Sequence, residues 1–299
     1  MERPCLFVAG AGAAGTALAL GLARAGWPLG EVASRQRARA AERTALLGGG
    51  RAVSFDELAD PAREAGQQPV LLLVAVPDRH IAEAAAKLAR RRWPAGSVAL
   101  HLSGSVEVAA LLPLARAGLA IGGLHPLKSL LDPARAAASF ADAVFALQGE
   151  PAALAVAEGL VQALGGRPFR LAPGRGPAWH AAATHACNHL VALLDQALDL
   201  MQAAGLDRRT AQAALLPLMQ GTLDNLAAHS TAEALTGPVV RGDVPVVEGH
   251  VRALAGLPPD VAAAYRALAA RAVELAAHGR GLDAITAAAL RDALTERKP

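Results

Sequence analysis

Aromatic side chains make up only 3% of this 299-residue chain, with five phenylalanines, three tryptophans and one tyrosine. Its cores must therefore be built from Ala, Leu and Val, which favours closely packed helices. Cysteine is equally scarce. Cys5, in an expected strand, and Cys187, in an expected helix, provide no disulfide framework and no C-x-x-C metal spacing, and read as small buried hydrophobes in a reducing compartment. Basic residues are scattered and the net charge is only +3, so no concentrated basic face invites nucleic acid. Internal repeats and low-complexity tails are also lacking. The one long uncharged run, Leu6 to Ala23, contains four glycines, which make it a poor membrane span or signal segment. These absences lead us to expect a cytoplasmic protein of about two ordinary domains.

That uncharged run has an internal order. Cys5 to Ala9 is apolar, Gly10-Ala11-Gly12-Ala13-Ala14-Gly15 follows, and an Ala/Leu stretch continues to Ala25. A strand that ends in G-x-G-x-x-G and passes straight into a helix is the dinucleotide-binding fingerprint. Gly10 permits the tight turn, Gly12 lets the backbone approach a pyrophosphate, and Gly15 lets the helix lie close to the strand. The helix beginning near Ala13 aims its N–H groups and positive dipole end at the phosphates.

A second strand, Gly30 to Ser34, ends in Ser34-Arg35-Gln36-Arg37. An NAD-selective site places a carboxylate there for the ribose 2′-hydroxyl; a hydroxyl and a guanidinium suit a 2′-phosphate instead. NADP is thus the expected cofactor, with Ser34 and Arg35 among its contacts. The alternative is that Arg35, Arg37 and Arg39 form only the solvated face of the next helix.

Further strands are predicted at Val70 to Val76, Ser97 to Leu102, Leu119 to Leu124, Ala143 to Leu147 and around Phe169, with a helix from Pro151 to Leu164. Asp78 is expected to cap a helix running through Arg92. Ligands of an open α/β sheet bind beyond the carboxyl ends of its strands. The ends at Gly10 to Gly15, Val76 to Asp78, Ser103 to Ser105 and His125 to Leu127 should converge on one crevice, which adds Val76, Pro77 and Ser103 to the cofactor contacts. A Pro/Gly-rich hinge at Ala172 to Pro177 then separates a domain over 1–172 from one over 173–299. Beyond it helical periodicity takes over, at Ala178 to Ala204, Arg208 to Ala228, Pro259 to His278 and Asp283 to Glu296, with a loop from Thr236 to Val247. The expected fold is α/β, an N-terminal Rossmann-type doubly wound sheet followed by an all-α C-terminal domain.

With NADP bound the chemistry is hydride transfer, and the protein must hold the substrate and manage a proton. His125 is the first candidate acid, with Ser103 and Ser105 placed to bond the substrate or orient the imidazole. The alternative is a histidine that braces the sheet before a proline. On the long helix, His180, Thr184 and Asn188 share one face, a polar stripe placed to line an interdomain cleft. His185 and His189 have the spacing of a metal pair but no third ligand, so no metal is expected. Arg241 is suited to clamp a carboxylate or phosphate with Asp243 holding it, unless the two pair only with each other.

Taken together, GAGAAG at Gly10, SR at Ser34, VPD at Val76, HLSGS at His101, HPLKSL at His125, WHAAATHACNHLVALL at Trp179 and LTGPVVRGD at Leu235 make the chain resemble Rossmann-like proteins with a DUF2520 helical C-terminal domain. The resemblance spans nearly the whole chain. It implies an NADP-dependent oxidoreductase related in fold to pyrroline-5-carboxylate reductase and the β-hydroxyacid dehydrogenases. It also implies a 6-phosphogluconate dehydrogenase C-terminal-like helical domain used for homodimerisation, and it names no substrate. Likeness to prephenate dehydrogenases points to Ser103 or Ser105 with His125. Likeness to β-hydroxyacid dehydrogenases points to Asn188, but Thr184 stands where their lysine would be, which leaves His125 or His180 as proton donor. The reading is of an enzyme reducing or oxidising a C=O or C=N bond of a small, carboxylate-bearing substrate held by Ser105, Thr184 and Arg241. Its rival is a catalytically idle NADP-binding sensor or assembly protein.

Overall fold

A computed structural model describes residues 3–64 and 68–295. In chain order the elements of the first part are β1 Cys5–Ala9, α1 Ala13–Arg24, β2 Leu29–Ser34, α2 Arg37–Leu47, β3 Arg51–Ser54, α3 Pro61–Glu64, β4 Val70–Val74, α4 Ile81–Leu88, β5 Val98–His101, α5 Leu112–Arg116, β6 Ala120–Pro126, α6 Pro133–Ala137, β7 Val144–Gly149, α7 Pro151–Ala163 and β8 Arg167–Arg170. Helices follow: α8 Gly176–Ala203, α9 Arg208–Ala228, α10 Thr231–Ala234, α11 Pro238–Arg241, α12 Val244–Ala253, α13 Pro259–Gly279 and α14 Ala284–Leu294. Packing divides the chain into two compact units, Met1–Cys187 and Asn188–Pro299, the division falling inside α8.

The strands of the first unit form one sheet in the order β3-β2-β1-β4-β5-β6-β7-β8, parallel except where β6 meets β7. The order reverses between β1 and β4, the topological switch point at which an open α/β sheet binds ligands. Alternation along the strands explains their all-apolar sequences. Leu6 and Val8 enter one core with α1 and α7, while Phe7 and Ala9 enter the other with α4 and α5; Leu71 and Leu73 divide from Val70, Leu72 and Val74 in the same way. Both faces of the central strands are buried, as parallel sheets require. The scarcity of aromatics is made good by close approach. In α1 a Cβ at Gly21 would lie 2.7 Å from Leu164, so the helix packs through its small residues.

Several sequence expectations are corrected. β3 was not anticipated, because RAVS is short and mixed and becomes a strand only by pairing with β2. Asp78 does not cap a continuous helix. It starts a 3-10 turn, Asp78–His80, and α4 follows and ends at Leu88. The Thr236 to Val247 stretch is not a loop. It holds α11 and the start of α12, with Gly237 and Gly242 at positive φ supplying the turns that its composition signalled. Cys187 is exposed and Cys5 half-buried, so neither is the buried hydrophobe expected. Glu296, the expected end of the last helix, lies outside the described residues.

The second unit is helical throughout its described residues. Its core joins Val239, Val247, Val273, Ala276, Ala287, Leu290 and Leu294 from α11 to α14. Arg208, at the start of α9, reaches back to Asp195, to Asp199 at 2.7 Å and to Gln202 at 2.9 Å, fastening α9 onto the end of α8. No helix among the described residues is long and apolar enough to cross a membrane.

Candidate nucleotide-binding and catalytic site

The glycine turn is built against the end of β4. Gly10 has φ +120°, and a Cβ there would lie 2.3 Å from the Ala75 carbonyl oxygen. A Cβ at Gly15 would lie 2.6 Å from the Ala75 Cβ. Gly12 differs, since a Cβ there meets only the Ala75 oxygen, at 3.8 Å. Two glycines are thus required by packing, and the third leaves an open face. Gly12 is also the N-cap of α1, and neither a side-chain cap nor an acidic residue shields the first turn over Ala13 and Ala14. An uncapped helix N-terminus behind a bare backbone is the arrangement that a pyrophosphate fits.

At the end of β2, Ser34 is buried beside β3, and Arg35 is exposed with no hydrogen bond or ion pair among the described residues. Arg37 is engaged with Glu57 at 3.5 Å. The only carboxylate on this strand, Glu31, is fully buried; it bonds Arg51 and accepts the Ala59 N–H at 3.1 Å. It stands within the strand rather than at its end, and is engaged on the side of β3.

The ends of β4, β5 and β6 meet. The Ser103 hydroxyl donates to Asp78 Oδ2 at 2.8 Å and the Ser105 hydroxyl to the same oxygen at 3.0 Å. Ser103 Oγ in turn accepts the N–H groups of Ser105 and Val106, at 3.2 and 3.0 Å, which fixes the turn. Gly104 lets His125 lie against it, for a Cβ there would be 2.9 Å from three atoms of the imidazole. Trp179, in the first turn of α8, donates its indole N–H to His125 Nδ1 at 3.0 Å and stacks on Phe169 with the rings 5.6 Å apart and 9° from parallel. His180 meets His125 edge to face, 5.6 Å away at 80°.

Burial lowers His125 to a pKa of about 4; the neighbouring His180 adds to the shift and Asp78 opposes it. Behind it, at the end of β5, His101 is fully buried and likewise lowered to about 4 by burial, with His125 adding to the shift and Asp78 and the Ser103 backbone opposing it. Both imidazoles are neutral at pH 7.

The structure therefore brings Ser103, Ser105, His125 and His180 together, on the same edge of the sheet as Val76, Pro77 and the glycine turn. Thr184 is half-buried one turn beyond His180. Asn188, His185 and His189 are exposed on α8. In the second unit Arg241 ends α11 and pairs with Asp243 at 2.8 Å. No three His, Cys, Asp or Glu side chains among the described residues could hold a metal together. Sequence reasoning missed three members of the cluster. Asp78 was read as a cap; His101 and Trp179 entered only as the first residues of quoted motifs and were given no role, although a tryptophan beside a histidine in so aromatic-poor a chain was a signal.

Comparison with known proteins agrees with this layout. The Rossmann-like domain matches residues 3–126, and the domain of unknown function DUF2520 matches residues 143–272. A protein of Thermotoga maritima is 26% identical, with 92% of this chain and 99% of that one covered and a TM-score of 0.71. A reductive aminase from Aspergillus terreus, in complex with NADPH and ethyl-5-oxohexanoate, is 22% identical, with 95% and 97% covered and a TM-score of 0.64. An imine reductase from a Pseudomonas species is 21% identical, with 98% and 100% covered and a TM-score of 0.60. No curated protein matches the chain. The chain thus carries a Rossmann-like domain followed by a DUF2520 domain.

Proposed function

We propose that this chain is an NADP(H)-dependent oxidoreductase that transfers hydride to or from the C=O or C=N bond of a small, carboxylate-bearing molecule. The observation that carries the reading is the open face of Gly12 between two glycines locked onto Ala75. The free guanidinium of Arg35, with no carboxylate at the end of β2, favours the 2′-phosphorylated cofactor. The fold shared with reductases, one of them in complex with NADPH, supports it. When bound, the cofactor supplies or accepts the hydride. The chain's own residues do the rest: Gly10 to Gly15 hold the pyrophosphate on backbone N–H groups, Ser34 and Arg35 take the 2′-phosphate, and Val76, Pro77 and Ser103 border the cofactor. His125 and Ser103, with His180 behind, face the reacting bond, and Ser105 and Thr184 bind substrate. For Asn188 and Arg241 the assignment rests on the sequence alone.

The test is a paired titration of NADPH and NADH against wild type and Arg35→Ala, read by nicotinamide fluorescence. NADPH should bind at least about tenfold tighter, a difference of about 1.4 kcal/mol, and Arg35→Ala should erase the gap. Failure of both cofactors to bind would overturn the reading. Tight binding with no NADPH consumption on any 2-oxoacid or cyclic imine would favour the idle sensor.

A cytoplasmic homodimer fits the same reading. Val191, Leu216, Leu218, Leu223 and Leu226 stand exposed on α8 and α9, apolar side chains available for a second copy to cover.

A further inference from the structure

An indole N–H donates hydrogen bonds and never accepts them. Since Trp179 Nε1 lies 3.0 Å from His125 Nδ1, that nitrogen must carry the lone pair, and the ring proton sits on Nε2. We propose that Trp179 is a positioning residue that locks His125 in its Nε2–H tautomer, so that His125 presents a fixed hydrogen-bond donor to an electron-rich atom of the substrate. This rests on the reading of His125 as part of the reaction site.

The lock is built from several sides. Phe169 holds the indole flat by stacking, so its N–H direction is set by β8 as well as by α8. Gly104 gives the imidazole its seat, and His180 closes on it from the next position of the helix. Charging His125 would place a second proton on Nδ1, where the indole N–H already points, and the bond would be lost. The groups that face it are Asp78 from the 3-10 turn, His101 from β5 and His180 from α8. Asp78 alone favours the cation, and its Oδ2 is already taken by two serine hydroxyls.

A neutral imidazole can act as an electrophile by hydrogen bonding without giving up its proton. When the C=X bond is reduced, hydride adds to carbon and the electron pair settles on the heteroatom. Nε2–H steadies that atom, the proton that completes the product comes from water, and His125 keeps its own. The substrate class narrows accordingly. A carbonyl oxygen accepts from Nε2–H and gains charge as hydride adds, whereas an iminium nitrogen has no lone pair to offer it.

The full-length protein labelled with 15N-histidine decides the matter by NMR without any substrate, His125 being assigned by the signals lost in His125→Gln. At pH 7 its Nε2 should be protonated and its Nδ1 bare. Trp179→Phe keeps a ring on Phe169 but removes the N–H; both tautomers should then appear, and the titration midpoint should rise by about one unit toward the ordinary value. A protonated Nδ1 in the wild type overturns the proposal, as does an unchanged His125 spectrum in Trp179→Phe, and the wild-type spectrum decides even where the variant fails to fold. The site reading fails separately: a wild-type tautomer as described, with turnover unaffected by His125→Gln, would leave the lock standing and remove its catalytic meaning.

Discussion

A single carboxylate oxygen, Asp78 Oδ2, accepts the hydroxyl of Ser103 at 2.8 Å, and thereby ties the end of β4 to the end of β5. Ser105 joins the same oxygen at 3.0 Å. Because the group is exposed, we expect Asp78→Ala to lower the unfolding free energy by only about 1 kcal/mol. The sharper expectation is non-additivity: Ser103→Ala should cost much less in the Asp78→Ala background than alone. Urea unfolding of the two single variants and the double variant measures it, and strictly additive losses would show that the contact contributes nothing.

The three glycines of the turn should respond differently to alanine. Gly10→Ala forces a side chain into a positive-φ position against the Ala75 carbonyl, and should destabilise the fold by at least about 2 kcal/mol. Gly12→Ala makes only an ordinary contact with the Ala75 oxygen, so its melting temperature should stay close to wild type while NADPH affinity falls about tenfold or more. Calorimetry and cofactor titration of the two variants check this. An unaltered affinity in Gly12→Ala would mean that nothing approaches that face.

Two neutral histidines, His101 buried and His125 half-buried, give the protein an acid limit. His101 and His125 titrate at about 4 when folded, against an ordinary value of 6.5. The unfolded chain binds their protons first, so their contribution is complete above 6.5 and is lost as the pH falls from there toward 4. Each removes about 1.4 kcal/mol per pH unit within that window, somewhat less for His125, which is the less enclosed. Urea unfolding at a series of pH values should show this slope, and His101→Gln should remove about half of it. A stability flat across the window would contradict the burial argument.

The parts of the fold legible in the sequence are those set by local rules. Cys5 to Gly15 announced a strand, a turn and a helix because glycine spacing and apolar runs act over a few residues. The long helices of the second unit were legible for the same reason, through their periodicity; in the structure Asp207 and Asp283 cap two of them, their side chains accepting N–H groups of the first turn. β3 was not legible, since its four residues gain their structure from the neighbouring strand. The Pro238 to Val247 helices were hidden by glycines and prolines that mark loops elsewhere.

The candidate site divides along the same line. Ser103, Ser105 and His125 could be proposed because each follows an apolar strand. Asp78 bonding to two serines could not, because the contact depends on β4 lying next to β5 in the sheet order. Nor could the bond from Trp179 to His125, whose partners are 54 positions apart in the chain. Long-range hydrogen bonds leave no periodic trace.

The seating of Gly10 and Gly15 on Ala75 has a kinetic meaning for any ligand of the turn. The turn's shape is imposed by the sheet, so its dihedral freedom is given up when the domain folds and not when a dinucleotide arrives. A turn seated in this way has little of its own to order when a ligand arrives. Differences in affinity among ligands of the turn are then expected to lie mainly in their residence times, which the surrounding side chains set.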